Sequence, residues 1–124
     1  MTATVDLFAS FVHLYDDGRV APAERRFGSG EPGWHVMTFH AETDAEVHAD
    51  HWEIHTEADE LVVCLSGELR LYLRTAVGDD PGVALTTGHA TVVPRGTWHR
   101  ITLTRPSDIM SITFPRGSRL EQRD

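Results

Sequence analysis

The chain has 124 residues, 40% of them hydrophobic and 24% charged, with 19 acidic against 11 basic side chains and a formal charge of −8. That length suits one domain over residues 1–124 with a proper core, and the acidic balance excludes a nucleic-acid or anionic-membrane surface, since both need a basic footprint. All 11 basic residues are arginine, which removes Schiff-base chemistry and a lysine-bearing phosphate loop as well. Cys64 is the single cysteine, so no internal disulfide forms, and the opening MTATVDLFAS has neither a basic region nor an extended apolar run. The longest apolar run is five residues, far short of a membrane span. The expectation is a protein of the reducing cytoplasm.

In chain order, residues 5–15, with Phe8, Phe11, Val12 and Leu14, read as a strand ending at the Asp16-Asp17-Gly18 turn. Residues 18–33 hold four of the ten glycines with Pro22 and Pro32 and predict a surface loop containing one short strand. Residues 34–40 alternate as a strand, and the acidic stretch 41–49 turns back. Residues 51–55 form a further strand. The apolar segment 61–65 stops at Ser66-Gly67. Residues 69–74 place Leu69, Leu71 and Leu73 on one face and Arg70, Tyr72 and Arg74 on the other. A turn at 78–82 and a return strand at 83–86 follow. Residues 88–99 describe a strand, a tight turn at Pro94-Arg95-Gly96 and a return strand. Segments 100–104 and 108–114 read as two strands divided by Pro106-Ser107, and the polar tail 115–124 frays or folds over one end. Short strands at roughly ten-residue spacing, with no helical periodicity, predict an all-β sandwich or barrel.

The chemistry concentrates in HWEIHTEADELVVCLSG, residues 51–67. On a strand, His51, Glu53 and His55 share one face. Burying two imidazoles and a carboxylate there is costly unless something pairs with them, and a metal ion is the simplest partner. Glu60 follows five residues after His55, and His99 stands just past the second turn, where it could supply another ligand.

These two stretches resemble the two motifs of the cupin superfamily. In the second, Gly88, Pro94, Gly96 and His99 fall in place, while the position of the usual asparagine holds Leu103 in a chain without any Asn. In the first, His55, Glu60 and Gly67 match, Glu53 stands where the first histidine of the pair is expected, and Val47 replaces the leading glycine. The same Trp-Glu-x-His variant occurs in small single-domain cupins, most without an assigned reaction. The resemblance implies an antiparallel jelly-roll β-barrel whose leading strand pairs with a neighbouring subunit, hence a homodimer. An exposed first strand carrying Phe8, Phe11 and Val12 would be an edge that needs covering.

Two imidazoles and a carboxylate form the facial set that suits non-haem iron, and the same donors hold Zn, Mn, Ni or Co. The expected site is one divalent ion held by Glu53, His55 and His99, with Glu60 as fourth ligand or as a base beside a bound substrate. The alternative is a polar cluster without metal. His51 stands one strand pitch further out, as an alternative ligand, a proton shuttle or a rim histidine. Two possible partners of His55 on this strand differ in reach. His51 and His55 are separated by about 13 Å of backbone and Glu53 and His55 by about 7 Å, which favours Glu53. Cys64 reads as a small buried hydrophobe. Trp52 and Trp98 precede proposed ligands and so face the other way, into inter-sheet or subunit packing. Two functions are compatible with this site. One is a metal-dependent enzyme acting on a small organic molecule by oxygen-dependent cleavage, isomerisation or cyclisation, with Glu60 or His51 moving a proton. The other is a binding or sensing module that holds a small molecule without turnover.

Overall fold

The computed structural model of the chain describes residues 4–25, 33–76 and 78–123. Its strands are β1 (Phe11–Leu14), β2 (Val20–Ala23), β3 (Trp34–Ala41), β4 (His51–Ile54), β5 (Glu60–Thr75), β6 (Gly78–Asp79), β7 (Val83–Thr86), β8 (His89–Val93), β9 (His99–Thr113) and β10 (Arg119–Gln122), with one 3-10 turn at Asp44–Val47. Every pairing among the described residues is antiparallel, as the resemblance implies. Among the described residues no helix is long and apolar enough to cross a membrane.

The long strands β5 and β9 form the spine, paired from Leu61↔Ile112 to Leu73↔His99. Their halves belong to different layers. The first half of β5 also pairs with β8 and its second half with β7. The second half of β9 pairs with β3, and its first residue with β4. One layer therefore runs β2-β1-β3-β9-β5-β8 and the other β10-β4-β9-β5-β7.

The corner between the layers corrects one expectation. Ser66-Gly67 and Pro106-Ser107 do not end strands; they bend continuous ones, with register shifts between Cys64 and Leu69. Such bulges let a strand turn from one sheet into the other without losing its ladder. Gly67 has φ +99°, and a Cβ there would lie 2.5 Å from the Pro106 carbonyl oxygen. Ser107, buried at the bend, accepts the Glu68 N–H at 3.0 Å and donates to the Arg105 carbonyl at 2.8 Å. Gly67→Ala is therefore expected to cost about 2 kcal/mol or more of stability, read as a lower denaturant midpoint.

The core lies between the layers. Val62, Cys64, Leu69, Leu71, Leu85, Val93 and Ile109 form one buried cluster, with Phe39, Leu73, Ile101 and Leu103 packed against it. Leu69, Leu71 and Leu73 of β5 thus share one face, and Cys64 is buried among apolar neighbours, as a small hydrophobe would be.

Three further expectations change. Residues 5–10 are not strand, because the Asp6 carbonyl accepts from the Ala9 and Ser10 N–H groups and its carboxylate accepts from the Phe8 N–H, closing a turn instead. β1 begins at Phe11, which is fully buried, and β1 is flanked within the chain by β2 and β3. The exposed-first-strand argument for a homodimer accordingly does not hold. At 78–82, Gly78 and Asp79 pair with Thr75 and Arg74 as β6, so the reversal lies ahead of them. The tail does more than cover an end, since β10 pairs with β4 from Arg119↔Ile54 to Gln122↔His51. Of the predicted loop at 18–33, residues 26–32 lie outside the described residues.

Candidate metal centre

Glu53 and His99 face each other directly across the β4–β9 pair. His55 sits one residue beyond β4, where its carbonyl accepts the Gly96 N–H at 2.7 Å, which ties the tight turn to the end of that strand. The same turn is held by Asp59, whose carboxylate accepts the Arg95 N–H at 2.9 Å. Glu60 opens β5. Strand alternation, one cross-strand pair and the anchored turn bring together one ligating atom from each of Glu53, His55, Glu60 and His99, all within 4.8 Å of one another.

Glu60 occupies the inner position. It is 5% exposed, with Oε1 3.1 Å from His99 Nε2 and Oε2 3.1 Å from His55 Nε2. Thr113 Oγ1 donates to Glu60 Oε2 at 2.5 Å. Glu53 stands toward the open side, its side chain 41% exposed, with Oε1 3.5 Å from His55 Nε2 and 3.6 Å from His99 Nε2. The far nitrogens are also held. His55 Nδ1 lies 2.7 Å from Ser118 Oγ, and His99 Nδ1 lies 3.3 Å from the Thr97 carbonyl oxygen.

Burial pulls the pKa of His55 down, but hydrogen bonds and charge from Glu53 and Glu60 more than reverse this, raising it to about 10. The same balance raises His99 to about 9. Burial pushes Glu60 up, while the two imidazoles hold it at about 2, and Glu53 is likewise lowered against its burial. The metal-free cluster is thus two imidazolium–carboxylate pairs.

The residues fit a divalent ion. His55 Nε2 is buried and points at two carboxylates, 3.1 Å from Glu60 Oε2 and 3.5 Å from Glu53 Oε1, with no other partner among the described residues. With the remaining proton on Nδ1 toward Ser118, Nε2 presents a lone pair to the centre, the usual arrangement of a ligating histidine with an outer partner. Two imidazoles and two carboxylates suit Fe, Zn, Mn or Ni alike.

The centre lines a cavity of about 580 Å³ whose wall also includes Met37, Phe39, Val47, Ile101 and Ile109. His51 lines it too, outside the cluster, with Nδ1 2.8 Å from Asp50 Oδ1 and its ring edge-on to His48 at 6.3 Å. Trp52 and Trp98 stand outside the cavity lining, and arginines lie against both rings. The Arg74 guanidinium lies 5.6 Å from Trp52 and 4.9 Å from Trp98, and Arg100 lies 5.4 Å from Trp52. His40 Nδ1 lies 2.7 Å from Asp108 Oδ1 and His89 Nδ1 lies 2.7 Å from Thr86 Oγ1, both outside the cluster. Sequence reasoning missed Thr113 and Ser118, and neither carried a signal in motif or spacing.

A two-layered antiparallel barrel with a His/Glu cluster on its cavity wall is the architecture of a cupin. The family model described as Cupin domain matches residues 35–115, which include all four cluster residues, and the chain belongs to that family. Among solved structures, it is similar to a cupin-2 domain-containing protein from Shewanella frigidimarina, with 22% identity, TM-score 0.51, and coverage of 64% of this chain and 69% of that one. It is also similar to hydroxypropylphosphonic acid epoxidase from S. wedmorenis in complex with fosfomycin, with 19% identity, TM-score 0.54, and coverage of 65% of this chain but only 43% of the epoxidase. A third is hydroquinone 1,2-dioxygenase PnpCD in complex with Cd2+ and 4-hydroxybenzonitrile, with 24% identity, TM-score 0.52, and coverage of 65% of this chain and 57% of that one. These identities establish a shared fold. No curated protein matches the chain.

Proposed function

We propose that the protein is a metal-dependent enzyme acting on a small organic molecule inside the barrel, by dioxygenase-, isomerase- or cyclase-like chemistry. The observation that carries this reading is the convergence of Glu53, His55, Glu60 and His99 on the cavity wall. Neighbours of the same fold that hold Fe(II) or Cd2+ support it.

His55 and His99 would hold the ion with Glu53 and Glu60. When bound, it would polarise a substrate oxygen as a Lewis acid. Glu60 serves as a ligand rather than a base, because both its oxygens face imidazoles and one also accepts from Thr113. Proton movement falls to His51, which lines the cavity and is oriented by Asp50. The apolar wall excludes water and holds the substrate body.

Elemental analysis of protein purified anaerobically without an affinity tag is expected to find about one divalent ion per chain. Glu53→Gln should lose most of it, since that change removes an anionic donor, whereas His51→Ala should retain it. If His51→Ala strips the metal and Glu53→Gln keeps it, the ligand assignment is wrong. The second reading, a binding or sensing module without metal, draws on the two ion pairs at 3.1 Å that already satisfy Glu60. A metal-free native protein would select it.

A further inference from the structure

Arg25 also lines the cavity, just beyond β2. Its Nη1 donates to the carbonyls of Phe8, at 3.0 Å, and Thr38, at 2.9 Å. The guanidinium lies over the Phe11 ring at 4.9 Å, and Phe11 is itself fully buried. Position and plane are therefore both set by the fold. With Nη1 occupied by two carbonyls, the side edge formed by Nε–H and Nη2–H is left. That edge carries two parallel donors at the spacing of a carboxylate's oxygens.

No counter-ion for Arg25 stands among the described residues. Of the carboxylates on the cavity wall, Glu53 and Glu60 face the two imidazoles. Glu46 is turned to its own segment, with Oε1 3.3 Å from Thr43 Oγ1 and 3.4 Å from the Glu42 N–H. Arg25, an exposed side chain on the cavity lining that is held through Nη1, thus keeps a pair of parallel donors with no partner among the described residues. The wall includes the apolar residues Met37, Phe39, Val47 and Ile109.

We propose that the cavity takes an organic acid with an apolar body, its carboxylate gripped side-on by Arg25. This rests on the cavity being the substrate site of the proposed function. It adds the class of molecule: one anionic end, an apolar middle and a size that a cavity of about 580 Å³ encloses. A neutral molecule of the same shape would leave the guanidinium edge unpaired, and that difference provides the discrimination.

The probes are 4-phenylbutyrate and its uncharged amide, titrated calorimetrically into metal-stripped protein. The acid is expected to bind about 10-fold or more tighter than the amide, the scale of a charge-assisted hydrogen-bonded pair. Arg25→Gln should abolish the difference while leaving amide binding intact, and Arg25→Lys should keep part of it as a point charge without the fork. Equal binding of acid and amide, binding of neither, or an acid preference that survives Arg25→Gln would each overturn the proposal. Repeating the titration with metal-loaded protein separates the two readings. A preference present only with metal and indifferent to Arg25 would make the ion the anchor and sink this inference alone. A protein that never retains metal but discriminates through Arg25 would sink the enzymatic reading alone.

Discussion

The double variant His55→Ala, His99→Ala is expected to carry no metal and to gain no stability when metal is added. The two imidazoles are the neutral donors of the cluster, and both approach Glu60 at 3.1 Å. Without them two carboxylates remain, one 41% exposed, with no second type of donor to complete a coordination shell. For the wild type, metal at 1,000-fold excess over Kd adds about 4 kcal/mol to stability; the variant should show none of it. It should also be less stable than metal-free wild type. Glu60 is 5% exposed, and removing both partners leaves a buried carboxylate to be neutralised or paid for, on the order of 3–5 kcal/mol. Thermal melts with and without chelator, together with elemental analysis, check both effects. Unchanged metal content, or a metal-induced rise in Tm equal to that of the wild type, would refute the assignment.

Metal affinity should rise steeply with pH. In the metal-free protein His55 and His99 stay protonated up to about 10 and about 9. Each must release a proton before its Nε2 can ligate, so apparent affinity should climb by nearly two log units per pH unit between about pH 6 and 8, then level off above about pH 10. The metal-free protein should show the opposite trend. Histidines raised from an ordinary 6.5 contribute stability that is complete below pH 6.5 and lost as pH rises through 9 to 10. Glu60, depressed from 4.5 to about 2, contributes stability that is complete above pH 4.5 and lost as pH falls through 2. The cluster therefore stabilises metal-free protein most between pH 4.5 and 6.5. Chelator competition across this range measures the slope. A pH-independent affinity would mean that the imidazoles do not ligate.

The convergence of Glu53, His55, Glu60 and His99 was legible because strand alternation and turn spacing act on local geometry. The same arithmetic separated Glu53 from His51, which the structure leaves outside the cluster. What escaped depends on contacts remote in sequence. Gly67 and Pro106 read as strand ends, yet they meet across the corner where β5 and β9 change layers, and each supplies the room that the other needs. β10 escaped because Arg119, Leu120, Glu121 and Gln122 are all exposed and show no inside face. Ser118 escaped with it, since its role exists only once β10 has laid itself along β4. Trp52 and Trp98 were placed on the correct side, but nothing in their spacing indicated that Arg74 would cover both.

Ser118 also sets an order of events during translation. β4, which carries Glu53 and leads into His55, is bounded by β10 on one edge and by the Glu53↔His99 pair on the other. A nascent chain that has just acquired His99 holds all four acids and histidines of the centre but lacks the strand that secures β4 and the hydroxyl that orients the His55 ring. At about 5–20 residues per second, ribosomes need roughly 1–4 s more to add Ser118. Until then β4 lacks its β10 partner. Selective capture of an ion therefore waits on the pairing of β10 with β4 and on the Ser118 hydroxyl.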